Sequence, residues 1–495
     1  MSKKNKVINL SELTLSTLAN SIVSAVSYSI AKENIETNFN LTELDLSLVI
    51  VEINSYLEEN GATHTIYEEI LQLILSWDNL PAPIRFVCLQ MLLNRSIKSL
   101  KTEVFPYPYY EKILQVVDMQ GTNIKCLNLK GIWLKEDNMS LMFRIVKSLQ
   151  NLVKLDIPYI ATDDLLYHIM LYQKNLVHLD VSGVTDITDI GIEYLCRSSD
   201  VKQKLTVLDI GTLGEENICH EDIASLLTHI PNLKSLGSYS FVGRSIQYVI
   251  ENINSDFVSK LEYLHDTETR HNAMNAMCKA CPNLKLIYLD SPEANVLHKL
   301  TSFSMLQSLK IYKFNCSEIY HVLKRIGRQL RQLTCLKGRN IMDVGLVIQN
   351  CPNLRDLDFY MMDELTCLTD ENFNQLQSFE ILNSPMSSTV LRNLICNCHQ
   401  TIRRLAVDRV PFTDYEMASI LLDYNFNKLE DIWFTFASHL TMATIELLMD
   451  RLPELSSIGQ LTGWNISNDE IFLLTAILKS GNSCLKLSPS NIFSS

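Results

Sequence analysis

Glycine is scarce in this chain, with 15 residues in 495, and none sits in the kind of cluster that cradles a phosphate. A Gly-x-Ser-x-Gly elbow and a His-Glu-x-x-His zinc helix are also missing, so nucleophilic hydrolysis and metalloprotease chemistry lack their usual frameworks. Positive charge falls short as well: 43 Lys and Arg against 56 Asp and Glu leave a net charge of −13. That balance opposes sequence-independent binding to nucleic acid, which needs a basic surface to displace counterions. No stretch approaches the roughly 18 unbroken apolar residues of a membrane span. The opening Met-Ser-Lys-Lys-Asn-Lys is not followed by an apolar run of signal-peptide length. Thirteen cysteines at irregular spacing then read as reduced thiols inside a cell, in the cytoplasm or the nucleus. The expectation is a non-enzymatic chain with no cofactor, no small-molecule substrate, no nucleic acid and no membrane among its partners.

What the chain does have is one apolar phrase used again and again, with a leucine-type residue at positions 1, 4 and usually 6. Clear copies are Leu152-Leu155-Ile157, Leu176-Leu179-Val181, Leu205-Leu208-Ile210, Leu284-Ile287-Leu289, Leu306-Leu309-Ile311, Leu354-Leu357-Phe359 and Leu429-Ile432-Phe434. Weaker copies start at Ile124, Leu233, Leu261, Leu333, Leu376, Ile402 and Leu455. The mean spacing of about 25 residues is that of a leucine-rich-repeat solenoid. Each unit supplies a short strand, a loop and a helix, and neighbouring units bury the face that one unit cannot bury alone. The predicted fold class is α/β: a right-handed solenoid of about fourteen irregular repeats over residues 119–490, with a parallel concave sheet and helices outside.

Residues 1–118 lack the phrase and recur at helical spacing, through Leu13, Leu15, Leu18, Ala19, Ile22, Val23 and Val26, then Ile66, Ile70, Leu71 and Ile74. Asp78-Asn79-Leu80-Pro81 predicts the start of a further helix through Ile84, Cys88 and Leu92. This region is expected to form an α-helical N-terminal cap on the first repeat.

Within the repeats, side chains between the leucines point away from the core, because strand residues alternate. The central outward position carries Asp156, Asp180, Asp209, Lys310, Asp358, Glu380, Ala406 and Trp433. The acids fit a partner with basic groups or amide donors, and Trp433 is an aromatic anchor candidate. Asp156, Asp180, Asp209, Asp358 and Trp433 are therefore the expected substrate-binding residues. Cys278-x-x-Cys281 and Cys396-x-Cys398-His399 are read as core or junction thiols rather than metal ligands, because a zinc site needs about four converging ligands. Asp186, Asp189 and Glu193 lack the order of a calcium loop, and Asp189 is read as a helix cap. The basic run Lys324, Arg325, Arg328 and Arg331 is read as a solvated helix face.

The phrases Thr188-Asp189-Ile190-Gly191-Ile192, Met342-Asp343-Val344-Gly345-Leu346 and Thr413-Asp414, with Cys281-Pro282-Asn283-Leu284 and Cys351-Pro352-Asn353-Leu354, resemble the cysteine-containing subclass of leucine-rich repeats. That resemblance covers residues 120–480, and many intracellular proteins of the subclass are substrate receptors of ubiquitin ligases. Thr14-Leu15-Ser16-Thr17-Leu18-Ala19-Asn20-Ser21-Ile22-Val23 resembles the box that binds Elongin C, with Leu15, Ala19 and Val23 on one helical face. Leu80-Pro81-Ala82-Pro83-Ile84 resembles a cullin-binding box, and the two boxes before leucine-rich repeats are the layout of Zyg/Zer-type receptors of cullin-RING ligases. The same phrase is similar to the opening of an F-box, which binds a Skp-type adaptor. The gap from Thr14 to Leu80 is longer than the first layout has, and Trp133 lies too far on for the second. What the resemblance implies is a substrate-recognition subunit. Thr14, Leu15, Ala19, Val23, Leu80, Pro81 and Ile84 would meet Elongin C and a cullin, or a Skp-type adaptor, and the concave strands would hold a protein substrate. A leucine-rich-repeat scaffold without a ligase is the alternative.

Overall fold

The computed structural model describes residues 10–37, 47–77, 79–134, 138–183, 186–211, 218–369, 371–480 and 485–488. Its contacts divide the chain into two compact units, Ile8–Leu261 and Glu262–Ser495.

The first unit opens with four helices: α1 (Leu10–Thr37), α2 (Ser47–Glu59), α3 (His64–Leu75) and α4 (Ala82–Leu92). They pack on one another, and α3 reaches the first strand. The inner face of α1 is Ala19, Ile22, Val26 and Ile30, all buried. Thr17, Asn20 and Ser21 on its outer side donate to carbonyls four residues back. Dispersed aliphatics give Leu13–Lys32 a mean hydropathy of 1.2, and this segment is long and apolar enough to cross a membrane by length and composition. Polar residues such as Ser16, Thr17, Asn20 and Ser21 interrupt its apolar residues, so it contains no long unbroken apolar run. The start of α4 is set by Pro81, its N-cap, with Pro83 in the first turn. Asp78, the expected cap, lies outside the described residues.

Five parallel strands follow in sequence order: β1 (Ser99–Lys101), β2 (Cys126–Asn128), β3 (Lys154–Asp156), β4 (His178–Asp180) and β5 (Val207–Asp209). Leu100, Leu127, Leu155, Leu179 and Leu208 stand in register and point into the core. Truncating a side chain so buried costs about 2–5 kcal/mol. The ladder thus begins about twenty residues before the expected boundary at 119. The copy at Ile97-Leu100 is disguised because its sixth position is Thr102, a buried polar residue that donates its N–H to Asn128 O at 3.1 Å.

The second unit holds β6 (Tyr263–Thr267), β7 (Leu286–Asp290), β8 (Ser308–Tyr312), β9 (Gln332–Leu336), β10 (Ile341–Asp343), β11 (Asp356–Tyr360), β12 (Glu364–Thr366), β13 (Ser378–Leu382), β14 (Arg404–Val407), β15 (Asp431–Phe434), β16 (Ser457–Gly459) and β17 (Lys486–Ser488). β10 and β12 pair separately; the other ten form one parallel sheet in sequence order. In β6, β7, β8, β11 and β13 half-buried and buried residues alternate along five positions, the period-two mark of a sheet covered on one face. β9 corrects the expected start at Leu333: Leu330, Leu333 and Cys335 are the buried set, so the copy begins at Leu330 with a cysteine in its sixth position.

Helix starts repeat one device. Thr188 caps the helix Asp189–Arg197, its hydroxyl accepting from the Ile190 N–H at 3.2 Å, so Asp189 is the first helical residue rather than the cap. Thr188 in turn donates its N–H and O–H to Asp163 of the preceding repeat, at 2.9 and 2.6 Å. In the second unit Thr441 does the same to Asp414, at 2.9 and 2.7 Å. The Thr-Asp phrase therefore caps its own helix with the threonine and, at Asp163 and Asp414, ties down the next with the aspartate.

Candidate functional site

The face of each sheet opposite its buried leucines is the candidate binding surface. In the first unit its central row runs Lys101, Asn128, Asp156, Asp180 and Asp209 in register. Asp156 is 1% exposed. Its carboxylate accepts from Asn128 Nδ2 at 2.9 Å and lies 3.1 Å from Lys154 Nζ and 3.0 Å from His178 Nε2. Burial pushes its pKa up, but the hydrogen bonds from His178 and Lys154 outweigh that and hold the carboxyl below its ordinary value. Asp180, also buried, pairs with Lys130 Nζ at 2.9 Å and accepts from the Ser182 hydroxyl at 2.6 Å. Asp209 accepts from the Gly211 N–H at 2.9 Å and from the Ser238 N–H and hydroxyl at 3.1 and 2.8 Å. The three acids expected to face a partner thus have donors supplied by their own unit. They stand on the strand face opposite the buried leucines, where polar side chains of their own and of adjoining repeats close over them.

What this unit exposes instead is aromatic. Trp133 and Tyr159 lie 5.4 Å apart between ring centres and are 60% and 45% exposed. Neither occupies a strand position, so the repeat phrase gives no signal for them; a tryptophan in a loop between repeats was the available clue.

In the second unit the central row runs His265, Tyr288, Lys310, Thr334, Asp358, Glu380, Ala406, Trp433 and Gly459. Its first part is a stack. The His265 and Tyr288 rings lie 4.2 Å apart and 15° from parallel, and Lys310 Nζ sits 4.5 Å over the Tyr288 ring. Its middle is acidic. Asp358 accepts from the Thr334 hydroxyl at 2.9 Å, and burial, with Glu380 and Asp356 adding to it, pushes its pKa up to about 6. Burial also raises Glu380, against the pull of Arg404. At the far end Trp433 packs over Gly459, where a Cβ would come within 2.4 Å of the ring. The row offers an aromatic and cationic stretch beside two acids that no ion pair neutralises among the described residues. His265 and Tyr288 occupy the same outward position as Asp358, and the period of two points to them equally.

Among the adaptor residues, Ala19 is fully buried and Leu15 and Val23 half-buried, on the side α1 turns toward α3 and α4; Thr14 is exposed. Pro81 is exposed and Leu80 and Ile84 are half-buried at the start of α4, whose deeper face is Cys88, Leu89 and Leu92. The structure therefore does not present Leu15, Ala19 and Val23 as one open stripe, whereas it leaves Leu80, Pro81 and Ile84 accessible together.

Cys281, Cys351, Cys396 and Cys398 are buried, and burial raises the Cys351 thiol to about 12. No three potential ligands converge on a metal position among the described residues.

Each unit is thus a parallel ladder of strand–loop–helix repeats, the architecture of leucine-rich-repeat proteins. No family model and no curated protein matches the chain. Solved structures similar to it include the yeast Rad7 and Elc1 complex, 15% identical over 94% of this chain and 96% of that one, with a TM-score of 0.43. Another is an internalin (inlF) from Listeria monocytogenes, 15% identical over 79% of this chain and 96% of that one, with a TM-score of 0.39. Likeness at this level says nothing of what the chain binds.

Proposed function

We propose that this chain is a non-catalytic protein-interaction module that serves as the substrate-recognition subunit of a cullin-RING ubiquitin ligase, acting in the cytoplasm or nucleus. The observation that carries the adaptor half of this reading is the accessible cluster of Leu80, Pro81 and Ile84 at the exposed start of α4. An apolar group on a helix start, held on a buried base, suits a groove in a partner. The same cluster serves a cullin box or an F-box opening, so either Elongin C with a cullin or a Skp-type adaptor fits. The substrate half rests on the outward row from His265 to Trp433, whose stacked rings and unneutralised acids supply aromatic anchoring beside polar selectivity. The burial of Ala19 favours a second reading, in which α1 is only a core helix and the chain is a scaffold without a ligase.

Pull-down of the full chain separates the two. Wild type retains Elongin C or a Skp-type adaptor; Leu80→Asp with Pro81→Ala loses it while keeping the wild-type melting temperature. Ala19→Asp lowers the melting temperature, because a charge enters the helical core. Retention of neither adaptor by folded wild type defeats the ligase reading and leaves the scaffold.

A further inference from the structure

One row of the second unit lies just before the strands, where each repeat turns from its helix into the sheet. In order it reads Glu262, Lys285, Gln307, Arg331, Arg355, Gln377, Arg403, Glu430 and Ser456, and each of these residues donates its backbone N–H to the carbonyl of the one before, at 2.7–2.9 Å. The side chains are therefore stacked about 4.8 Å apart, one repeat above the next. Near the ends of the row each cation is answered by an acid on the adjacent step: Lys285 Nζ meets Glu262 at 2.6 Å, and Arg403 meets Glu430 at 2.8 Å. The middle breaks this rule. Arg331 and Arg355 are direct neighbours of like charge, an arrangement that destabilises adjacent strands. Arg328 joins them from the turn before β9. No ion pair reaches any of the three among the described residues.

These three arginines line one cavity of about 520 Å³ that contains no carboxylate. Its remaining polar wall is mostly amide, Gln307, Gln329, Asn353 and Gln375, with the hydroxyl residue Ser304. Three of these are held by hydrogen bonds, Gln329 Nε2 to Phe303 O at 2.8 Å, Asn353 Nδ2 to Arg328 O at 2.6 Å and Gln375 Nε2 to Asn353 Oδ1 at 3.4 Å. Uncompensated guanidiniums converging on a cavity walled by fixed amides, in a chain of net charge −13, call for an anion. We propose that this cavity is a binding site for a phosphate dianion, free or carried as a monoester. Guanidinium groups bind tetrahedral oxyanions through paired N–H donors, and a phosphate dianion would neutralise the repulsion between Arg331 and Arg355. The acids that close the row on both sides limit the positive field to the length of a few repeats, which favours a compact anion over an extended polyanion.

The source of the phosphate is a phosphorylated side chain of a bound protein or free phosphate. The first source rests on the chain being a protein-binding scaffold; neither rests on the adaptor, which is tested through residues of the other unit. The full chain in phosphate-free buffer is titrated with inorganic phosphate and with a fluorescein-labelled Gly/Ser peptide carrying one phosphoserine. Both bind saturably, and Arg331→Gln with Arg355→Gln weakens binding about tenfold or more, whereas Arg331→Lys with Arg355→Lys falls between. Without phosphate, the Gln variant melts no lower than wild type, because it removes like-charge repulsion; a merely structural role would lower it. Tighter binding of the phosphopeptide than of inorganic phosphate assigns the site to a protein side chain, and equal binding assigns it to free phosphate. No binding to wild type, equal binding to the Gln variant, or a single-stranded RNA hexamer outcompeting the phosphopeptide at physiological salt overturns the proposal.

Discussion

The two units build the same ladder with different parts. In Ile8–Leu261 the strands are three residues long, and the left-handed turns after them fall on Gly131, Gly183, Gly211 and Gly237, with Glu103 and Tyr159 taking that conformation after β1 and β3. In Glu262–Ser495 many strands are five residues long, and the corresponding turns fall on Glu268, Ser291, Lys313, Lys337, Met361, Asn383, Arg409 and Phe436, none of them glycine. Close approach explains the first choice: at Gly237 a Cβ would lie 2.1 Å from the Asp209 carboxylate carbon. Hydrogen bonding sustains the second, since Ser291, Lys313, Lys337 and Met361 each donate their N–H to the last residue of the next strand, at 2.8–3.0 Å. The sheet faces differ in the same sense. The first unit pairs its acids with its own donors; in the second, Asp358 and Glu380 have no ion pair among the described residues and burial raises both. Short strands with close turns make a self-satisfied surface, and longer strands leave polar groups for a partner.

Breaking the first unit's network is the largest expected effect. Asp156→Ala leaves Lys154, His178 and Asn128 facing an empty carboxylate position, and is expected to destabilise the protein by about 2–4 kcal/mol in urea denaturation at pH 7. The pH dependence has a definite sign. The folded pKa of Asp156 is depressed, so its stabilisation is present above the unfolded carboxyl value near 4 and is lost as pH falls through the lower folded value. The wild-type and Asp156→Ala stabilities therefore converge in acid; a gap unchanged down to pH 2 would show that the carboxylate's charge is not what matters.

The second unit predicts the opposite sign. The pKa of Asp358 is raised to about 6, so the folded state holds a proton that the unfolded state releases near 4, and stability falls as pH rises between those values. Asp358→Asn keeps the Thr334 contact and removes the cost of the buried charge. It is expected to stabilise the protein by about 1–2 kcal/mol at pH 7 and by almost nothing at pH 4. Destabilisation at pH 7 would mean that the acid is satisfied within its own unit, and the contrast between the two faces would fail.

The same difference governs how much could be read from the residues. Leu155, Leu179, Leu309 and Leu357 announce their strands because a period of two with leucine in the core position leaves little choice. Leu100 and Leu333 were hard to place because Thr102 and Cys335 stand in the sixth position, where a polar or sulfur side chain can be buried once its partners are present. Strand position was legible for Asp156 and Asp358 alike, yet their surroundings were not: Asp156 is decided by Asn128 and His178 from other repeats, contacts with no local signature. The arginine cavity shows the same limit. Arg328 and Arg331 read as a solvated helix face until Arg355, a full repeat away, is seen beside them.

The turns offer the smallest and cleanest test of the comparison. Lys337 has φ +52°, and its N–H donates to Tyr360 O at 2.8 Å, so the conformation is held by the ladder rather than chosen by the residue. A non-glycine residue in the left-handed region costs roughly 1–2 kcal/mol, whereas glycine adopts it freely but loses more backbone entropy on folding. These effects oppose each other, and the steric one is the larger. Lys337→Gly is therefore expected to stabilise the protein by about 0.5 kcal/mol in urea denaturation, with the N–H···O bond unchanged. A loss of stability would mean that the lysine side chain contributes a contact at the turn, and that the second unit, like the first, builds its turns around side-chain packing rather than the backbone ladder alone.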